Sequence, residues 1–324
     1  MLNIVKQPIC RHSGSKSAWR QSMCALALAG VAWVCAPAVW AQPGFTSPQA
    51  AATALADAVR ADNQPALRAL LGRHGSKLIS SGDPVADARN RETFIQAYGE
   101  SNKIVLEGEE QAELWVGKEG WPLPIPIVRS SVGSWRFDTR RGEVEILSRR
   151  MGRNELAAIQ VCLAVVDAER EFATRDSDGD GLREYAARFT STPGQRNGLY
   201  WPTEPQEALS PLGPLLAAAA KDGYMGTGAG SSEPYQGYFY KILTRQGKEA
   251  AGGAYSYFVQ AQMIAGFALI AYPARYGASG IMSFIVNQDG IVYQKNLGHN
   301  TATIATGLKS YNPDASWRRV REIK

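Results

Sequence analysis

Residues 176–184 read DSDGDGLRE, which places Asp176, Asp178 and Asp180 two residues apart and follows them with Gly181. Carboxylates at alternate positions of a tight loop can converge on a hard cation that takes six to eight oxygens, and calcium fits such a donor set. Read as the start of a twelve-residue calcium loop, Asp176, Asp178 and Asp180 occupy positions one, three and five. Gly181 then makes the turn, Leu182 offers its carbonyl at seven, and Glu184 falls at nine. The twelfth position, where a bidentate Glu is expected, is Ala187, so water or a distant side chain would have to complete the shell. The expected cofactor is therefore a structural calcium ion of weak, extracellular-type affinity, on the order of 0.1–1 mM. The alternative is an acidic Asp/Gly turn that simply ends a helix.

Other reactive residue types form no such pattern. Cys162 sits between Val161 and Leu163, which points to burial as a small apolar residue rather than to a nucleophile. His74 and His299 lack ligand spacing to each other and read as surface residues beside glycine. The pairs Glu109/Glu110 and Glu143/Glu145 read as charged strand or loop positions. A nucleophile elbow, a phosphate-binding loop and a dinucleotide fingerprint are all missing from the sequence. No catalytic and no cofactor-binding residue is assigned beyond the Asp loop, and the reading leans away from an enzyme. The aromatic run Tyr235, Tyr238, Phe239, Tyr240, Tyr255, Tyr257 and Phe258 fits cross-strand core pairs, with a ligand groove or protein interface as the other reading.

The Asp loop must be positioned by what precedes it. Leu156, Ile159, Leu163 and Val166 recur at three- and four-residue steps, predicting a helix from Asn154 with that stripe inward and Glu155, Asp167 and Glu169 on the polar side. Earlier, Ser47-Pro48 predicts a capped helix start, Leu67, Leu70 and Leu71 a second helix stopped by Gly72, and residues 88–98 a third. Strands are predicted over residues 104–106, 112–116, 125–129 and 134–138. Past the Asp loop, residues 192–214 read as ordered loop and 210–220 as a short helix. Five more strands are predicted over residues 238–244, 255–259, 266–272, 280–287 and 291–295, with Asp289-Gly290 as a hairpin turn.

Length and charge bound the rest. The chain has 324 residues, enough for two domains. Lys6, Arg11, Lys16 and Arg20 precede an apolar run over residues 23–39 that ends in Val39-Trp40-Ala41, predicting a signal peptide over residues 1–41, with a retained anchor as the other reading. The full chain carries 35 Lys and Arg against 30 Asp and Glu. Four of the basic residues lie in that leader, so a chain cut before Gln42 is near neutral and nucleic acid is not an expected partner. Of four cysteines, Cys10, Cys24 and Cys35 leave with the leader. No integral membrane span is expected after cleavage, and the expected location is periplasmic or secreted.

The runs GRNELAAIQVCLAVVDAEREF, DSDGDG, STPGQRNGLYWP, SPLGPL, PYQGYFYKIL and FIVNQDGIVYQKNLG, in this order, resemble a family of bacterial secreted proteins known as domain of unknown function 2950. The family implies no activity. Residues 42–150, helices followed by strands and closing on GSWRFDTRRG, resemble the nuclear-transport-factor-2-like cone, in which helices cover a curved antiparallel sheet. Residues 151–324 are similar to the soluble part of type IV pilin-like and pseudopilin proteins, a long helix on an antiparallel sheet, although residues 142–153 are polar where a pilin has an apolar helix. The expected fold class is α+β in two such domains. The expected function is a non-catalytic interaction or assembly module that engages unknown envelope proteins. The alternative is a periplasmic small-ligand binder or enzyme with a pocket in the N-terminal domain near Trp115, Trp121 and Trp135.

Overall fold

The computed structural model describes residues 42–176, 181–204, 206–224 and 233–321; the expected signal peptide over residues 1–41 lies outside them. Helix α1 (Pro48–Arg60) starts where Ser47 Oγ accepts the Ala50 N–H at 3.1 Å, with Pro48 in the first turn where a missing N–H costs nothing. Asn63 caps α2 (Gln64–Leu71) in the same way, and a 3-10 turn (Gly72–Gly75) leads into α3 (Ser76–Ile79). Asp83 caps α4 (Pro84–Glu100). The period then changes to two. Strands β1 (Asn102–Glu107), β2 (Gln111–Val116), β3 (Trp121–Pro122), β4 (Ile127–Arg129) and β5 (Trp135–Phe137) form an antiparallel sheet in the order β1-β2-β4-β5, with β3 beside the end of β2. Along β2, Ala112, Leu114 and Val116 are buried while the residues between them are half-buried, as a strand with one face on the core requires. Those side chains meet Leu55, Leu67, Leu71, Ile127 and Phe137 in the first hydrophobic core.

Helix α5 (Thr139–Phe172) is 34 residues long, roughly 50 Å at the usual rise. The sequence reading started it at Asn154; the structure starts it fifteen residues earlier, where Asp138 caps Arg141. Residues 142–153 are polar but helical, and the expected division at residue 150 falls inside one continuous helix. Its first part reaches the first core through Ile146, while Ala158, Val161, Cys162, Val165 and Phe172 enter a second core. The inward face also differs from the predicted stripe. Leu156 is 49 % exposed, whereas Glu169 is fully buried.

After α6 (Gly213–Lys221) come β6 (Tyr238–Leu243), β7 (Arg245–Gln246), β8 (Tyr255–Ser256), β9 (Ala268–Pro273), β10 (Met282–Asn287), β11 (Tyr293–Asn296), α7 (Thr301–Gly307), β12 (Ser310–Tyr311) and β13 (Arg318–Arg319). Five of these strands make an antiparallel sheet in the order β13-β11-β10-β9-β6, and β12-β7-β8 make a smaller mixed sheet in which β12 runs parallel to β7 and β8 antiparallel to it. Strands β9 and β10 are buried along nearly their whole length rather than at alternate residues, because α5 packs against β10 and α7 against β9. The architecture is α+β, with helices before and across antiparallel sheets as expected. The turn after β10 differs from the predicted two-residue hairpin. The Gly290 N–H reaches the Asn287 carbonyl at 2.9 Å, and Gly290 (φ +74°) adopts the left-handed conformation, whereas Asp289 does not.

Two glycines of α5 test the close approach of the helix to the first sheet. A β-carbon on Gly142 would lie 2.2 Å from the Pro124 carbonyl oxygen, while one on Gly152 would meet nothing within 4 Å. Gly142→Ala should lower stability by about 1–3 kcal/mol through overpacking against backbone, whereas Gly152→Ala should raise it by about 0.5–1 kcal/mol through helix propensity. Urea denaturation of both variants checks the opposite signs, and equal effects would mean the approach at Pro124 is not tight.

Candidate functional site

The Asp loop leaves the C-terminal end of α5. Asp178 and Asp180 lie outside the described residues; Asp176, Leu182 and Glu184 lie within them. Asp176 Oδ2 accepts the Gly181 N–H at 2.9 Å, folding the start of the loop back on itself. Leu182 is 45 % exposed and Glu184 half-buried. Among the described residues no three His, Cys, Asp or Glu side chains are grouped to hold a metal ion.

What draws the two ends of this loop together is a residue the sequence reading placed on the polar side. Glu169 Oε2 accepts the Ala186 N–H at 2.8 Å across the base of the loop, and Oε1 has no partner among the described residues. Burial pushes this carboxyl well above the ordinary range, opposed by the hydrogen bond from Ala186. Nothing in the 3.6-residue pattern distinguishes Glu169 from a solvated glutamate, because its partner is a backbone N–H seventeen residues away.

A second cluster joins segments far apart in sequence. Asp83, fully buried, caps α4 through Oδ1, while its Oδ2 accepts the Tyr224 hydroxyl at 2.8 Å and the Gly237 N–H at 2.7 Å. Burial and the neighbouring Asp83 carboxylate both raise the Tyr224 phenol, so it stays a donor. Asp87 Oδ2 accepts the Ser81 N–H at 2.9 Å. Nearby, the Arg150 guanidinium donates to the Lys77 and Leu78 carbonyls at 2.6 and 2.9 Å, at the end of α3. Burial lowers its pKa against the opposing pull of Asp87, with Arg153 and Arg275 adding to the lowering. Asn154 Nδ2 donates to the Ser279 carbonyl, and Glu155 Oε1 accepts the N–H groups of Ile281 and Met282 at 2.9 and 3.1 Å. Each of these groups fastens α5 or α4 to backbone elsewhere.

Cys162 is fully buried against the second core, which pushes its thiol up to about 12. His74 is not a bare surface residue, since its Nδ1 lies 2.8 Å from Glu143 Oε2 and links the 3-10 turn to α5. His299 is exposed and stands edge-on to Tyr276. Tyr235, Tyr238, Tyr240 and Tyr257 are core residues; only Tyr255 of the predicted aromatic run is classed as exposed. Trp135 is buried in the first core, Trp121 is 69 % exposed, and the Trp115 indole donates to Glu113 beside it.

A cavity of about 350 Å³ lies elsewhere, beside α6. One of its walls is the helix face formed by Gly213, Leu216, Ala217 and Ala220, at steps of three and four. The other comes from the loop that carries Thr190, Tyr200, Thr203 and Ser210, tied by backbone bonds from Ser191 to Tyr200 and from Leu212 to Leu199. Proline-rich loop chemistry hid this site from sequence reading, since its walls meet only once residues 190–200 fold back on themselves.

Glu169 supplies a pH test. Below its ordinary value of 4.5 the group is protonated in both folded and unfolded chains and contributes fully. As pH rises, the unfolded chain ionises first, and the stability is lost up to the raised folded value. Glu169→Gln, which keeps an oxygen for the Ala186 N–H, should therefore gain stability relative to the parent as pH rises above 4.5, measured by urea denaturation. A difference that does not change with pH would show that Glu169 is ionised in the folded chain.

A family model described as "Protein of unknown function (DUF2950)" matches residues 42–320 of the chain. No curated protein and no solved structure matches it.

Proposed function

We propose, of a chain that belongs to the DUF2950 family of proteins of unknown function, that it is an exported envelope protein acting as a non-catalytic interaction or assembly module. On this reading its first part is nuclear-transport-factor-2-like, its second part pilin-like, and residues 1–41 are a signal peptide. The observation that carries the interaction role is apolar exposure at one end of the first sheet. Leu106, near the end of β1, is 62 % exposed and Val132, in the turn between β4 and β5, 86 % exposed; that turn neighbours the β1–β2 turn, to which the Arg129 N–H bonds at the Glu110 carbonyl at 2.8 Å. The buried charges support a structural rather than chemical use, since Asp83, Asp87, Arg150 and Glu169 all bond to backbone of other segments. Among the described residues no helix is long and apolar enough to cross a membrane.

Purification of the chain from its native envelope extract should return a partner in fixed stoichiometry. Val132→Asp and Leu106→Asp should each release that partner without changing the melting temperature. Recovery of the chain alone, or from the cytoplasmic fraction, would overturn the proposal.

Calcium is proposed as a clip on the loop after α5, with Asp176, Asp178, Asp180, the Leu182 carbonyl and Glu184 as ligands and Glu169 holding the base of the loop closed. At ten times its dissociation constant, calcium would add about 1.4 kcal/mol. The parent should melt at a higher temperature in millimolar calcium than in chelator, and Asp176→Ala with Asp180→Ala should erase that difference. Equal melting temperatures for the parent in the two buffers would remove calcium from the reading.

A further inference from the structure

Strand β1 stands at the end of the first sheet, so one of its two edges meets no strand among the described residues. The bonds made by β2 fix which backbone groups face that edge. Opposite residues of an antiparallel pair alternate between exchanging both backbone bonds and exchanging none. The Leu114 carbonyl is taken by the Leu123 N–H, on the side of β2 away from β1, so Ile104, which lies opposite Leu114, exchanges no bond with β2. The Ser101 carbonyl does accept the Gly117 N–H, which puts Lys103, Val105 and Glu107 in step with it as the residues bonded to β2. Ile104 and Leu106 therefore direct their N–H and C=O groups outward.

The side chains on this edge complement themselves. Ile104 and Leu106 lie opposite the buried Leu114 and Ala112 and share the core-side face, and Leu106 runs past the core with 62 % of its surface exposed. The other face carries Lys103 and Glu107, both exposed, with Val105 midway between them. Glu107 accepts a bond from the Gln111 amide opposite it, which keeps the carboxylate on that face. Open edges are ordinarily guarded by charge that repels a second edge. Here one charge of each sign flanks a central valine. If a second copy lies antiparallel with Val105 facing Val105, each Lys103 meets the Glu107 of the other copy at a position where side chains approach most closely. Each Ile104 then meets a Leu106, covering the exposed leucine, and that pair exchanges the outward backbone bonds. Sliding the copy by two residues loses both ion pairs, and sliding it by one presents backbone groups already bonded to β2.

We infer that β1 pairs with β1 of a second copy of this chain, antiparallel and edge to edge about a two-fold axis at Val105, making one sheet continuous across the dimer. Such a contact is isologous and closes on itself. It rests on the interaction reading above and names one partner for that end of the sheet. Because the strand is short, the expected dissociation constant is on the order of 10 µM.

Sedimentation equilibrium of the purified chain, with no other protein present, should show monomer and dimer across concentrations that span this value. Lys103→Glu and Glu107→Lys should each weaken the dimer about tenfold, and the double variant, in which opposite charges meet again, should return to within about threefold of the parent. Register is read by cross-linking with Cys10, Cys24 and Cys35 changed to serine; Cys162 is fully buried. Val105→Cys should oxidise to a covalent dimer, since facing α-carbons at such a position lie about 4.5 Å apart, within disulfide reach. Glu107→Cys should not, because its own copy lies several residues away along the strand. A chain that stays monomeric at every concentration, single charge variants as tight as the parent, a double variant no tighter than the single ones, or equal cross-linking at positions 105 and 107 would each overturn the inference. A monomeric purified chain would leave an envelope partner standing, whereas a dimer recovered from the envelope with nothing else bound would remove that partner and keep this contact.

Discussion

A helix shared by two hydrophobic cores can keep one rotation and one height only if something directional fixes it, because apolar contact by itself is indifferent to small slides. Helix α5 is such a helix, and four of its side chains supply the direction. Arg150 holds the end of α3, Asn154 and Glu155 hold the backbone from Ser279 to Met282, and Glu169 holds Ala186. The four are spread along twenty residues of helix and point to three different segments, so a slide of one turn would break them together. The cores then add the larger but less specific term, about 1.5–3 kcal/mol for each fully buried side chain such as Leu114 or Phe284.

This use of charge has a cost that the structure meets in different ways. Asp83 satisfies both carboxylate oxygens with three donors, one of them the cap of its own helix. Glu169 satisfies one oxygen and leaves the other without a partner among the described residues, and burial favours its protonated form. Arg150 finds two carbonyls at a helix end, where oxygen acceptors are left over by the helix itself. Charged groups inside this protein therefore organise backbone.

Much of this architecture was legible. Alternation along β2, the Ser47-Pro48 cap, the strands from Tyr238 to Asn296 and the long helix are local patterns, and local patterns survive folding where one face is buried. The misses share a cause. Ile159, Leu163 and Val166 face the second core as expected, but Leu156 is exposed and Glu169 buried, because a helical wheel ranks residues by polarity while the packing of α5 against β10 sets which positions are covered. The start of α5 was read late because residues 142–153 are polar, although a polar stretch stays helical when capped by Asp138 and continued by a buried half. Helix α7, with three threonines, had no apolar period to show. It forms against β9, and Lys241 of β6 holds its C-terminal end by donating to the Thr306 and Leu308 carbonyls.

The sequence by itself determined the class of elements, their order and the spacing of the Asp loop, because propensity, capping and period act within a few residues. Only the tertiary structure decided where α5 points, that Glu169 closes the base of that loop, and that a cavity lies beside α6. Those outcomes depend on partners seventeen to more than one hundred and fifty residues away, such as Ala186 for Glu169 and Gly237 for Asp83. No local pattern encodes a hydrogen bond whose second half arrives only when the chain has closed.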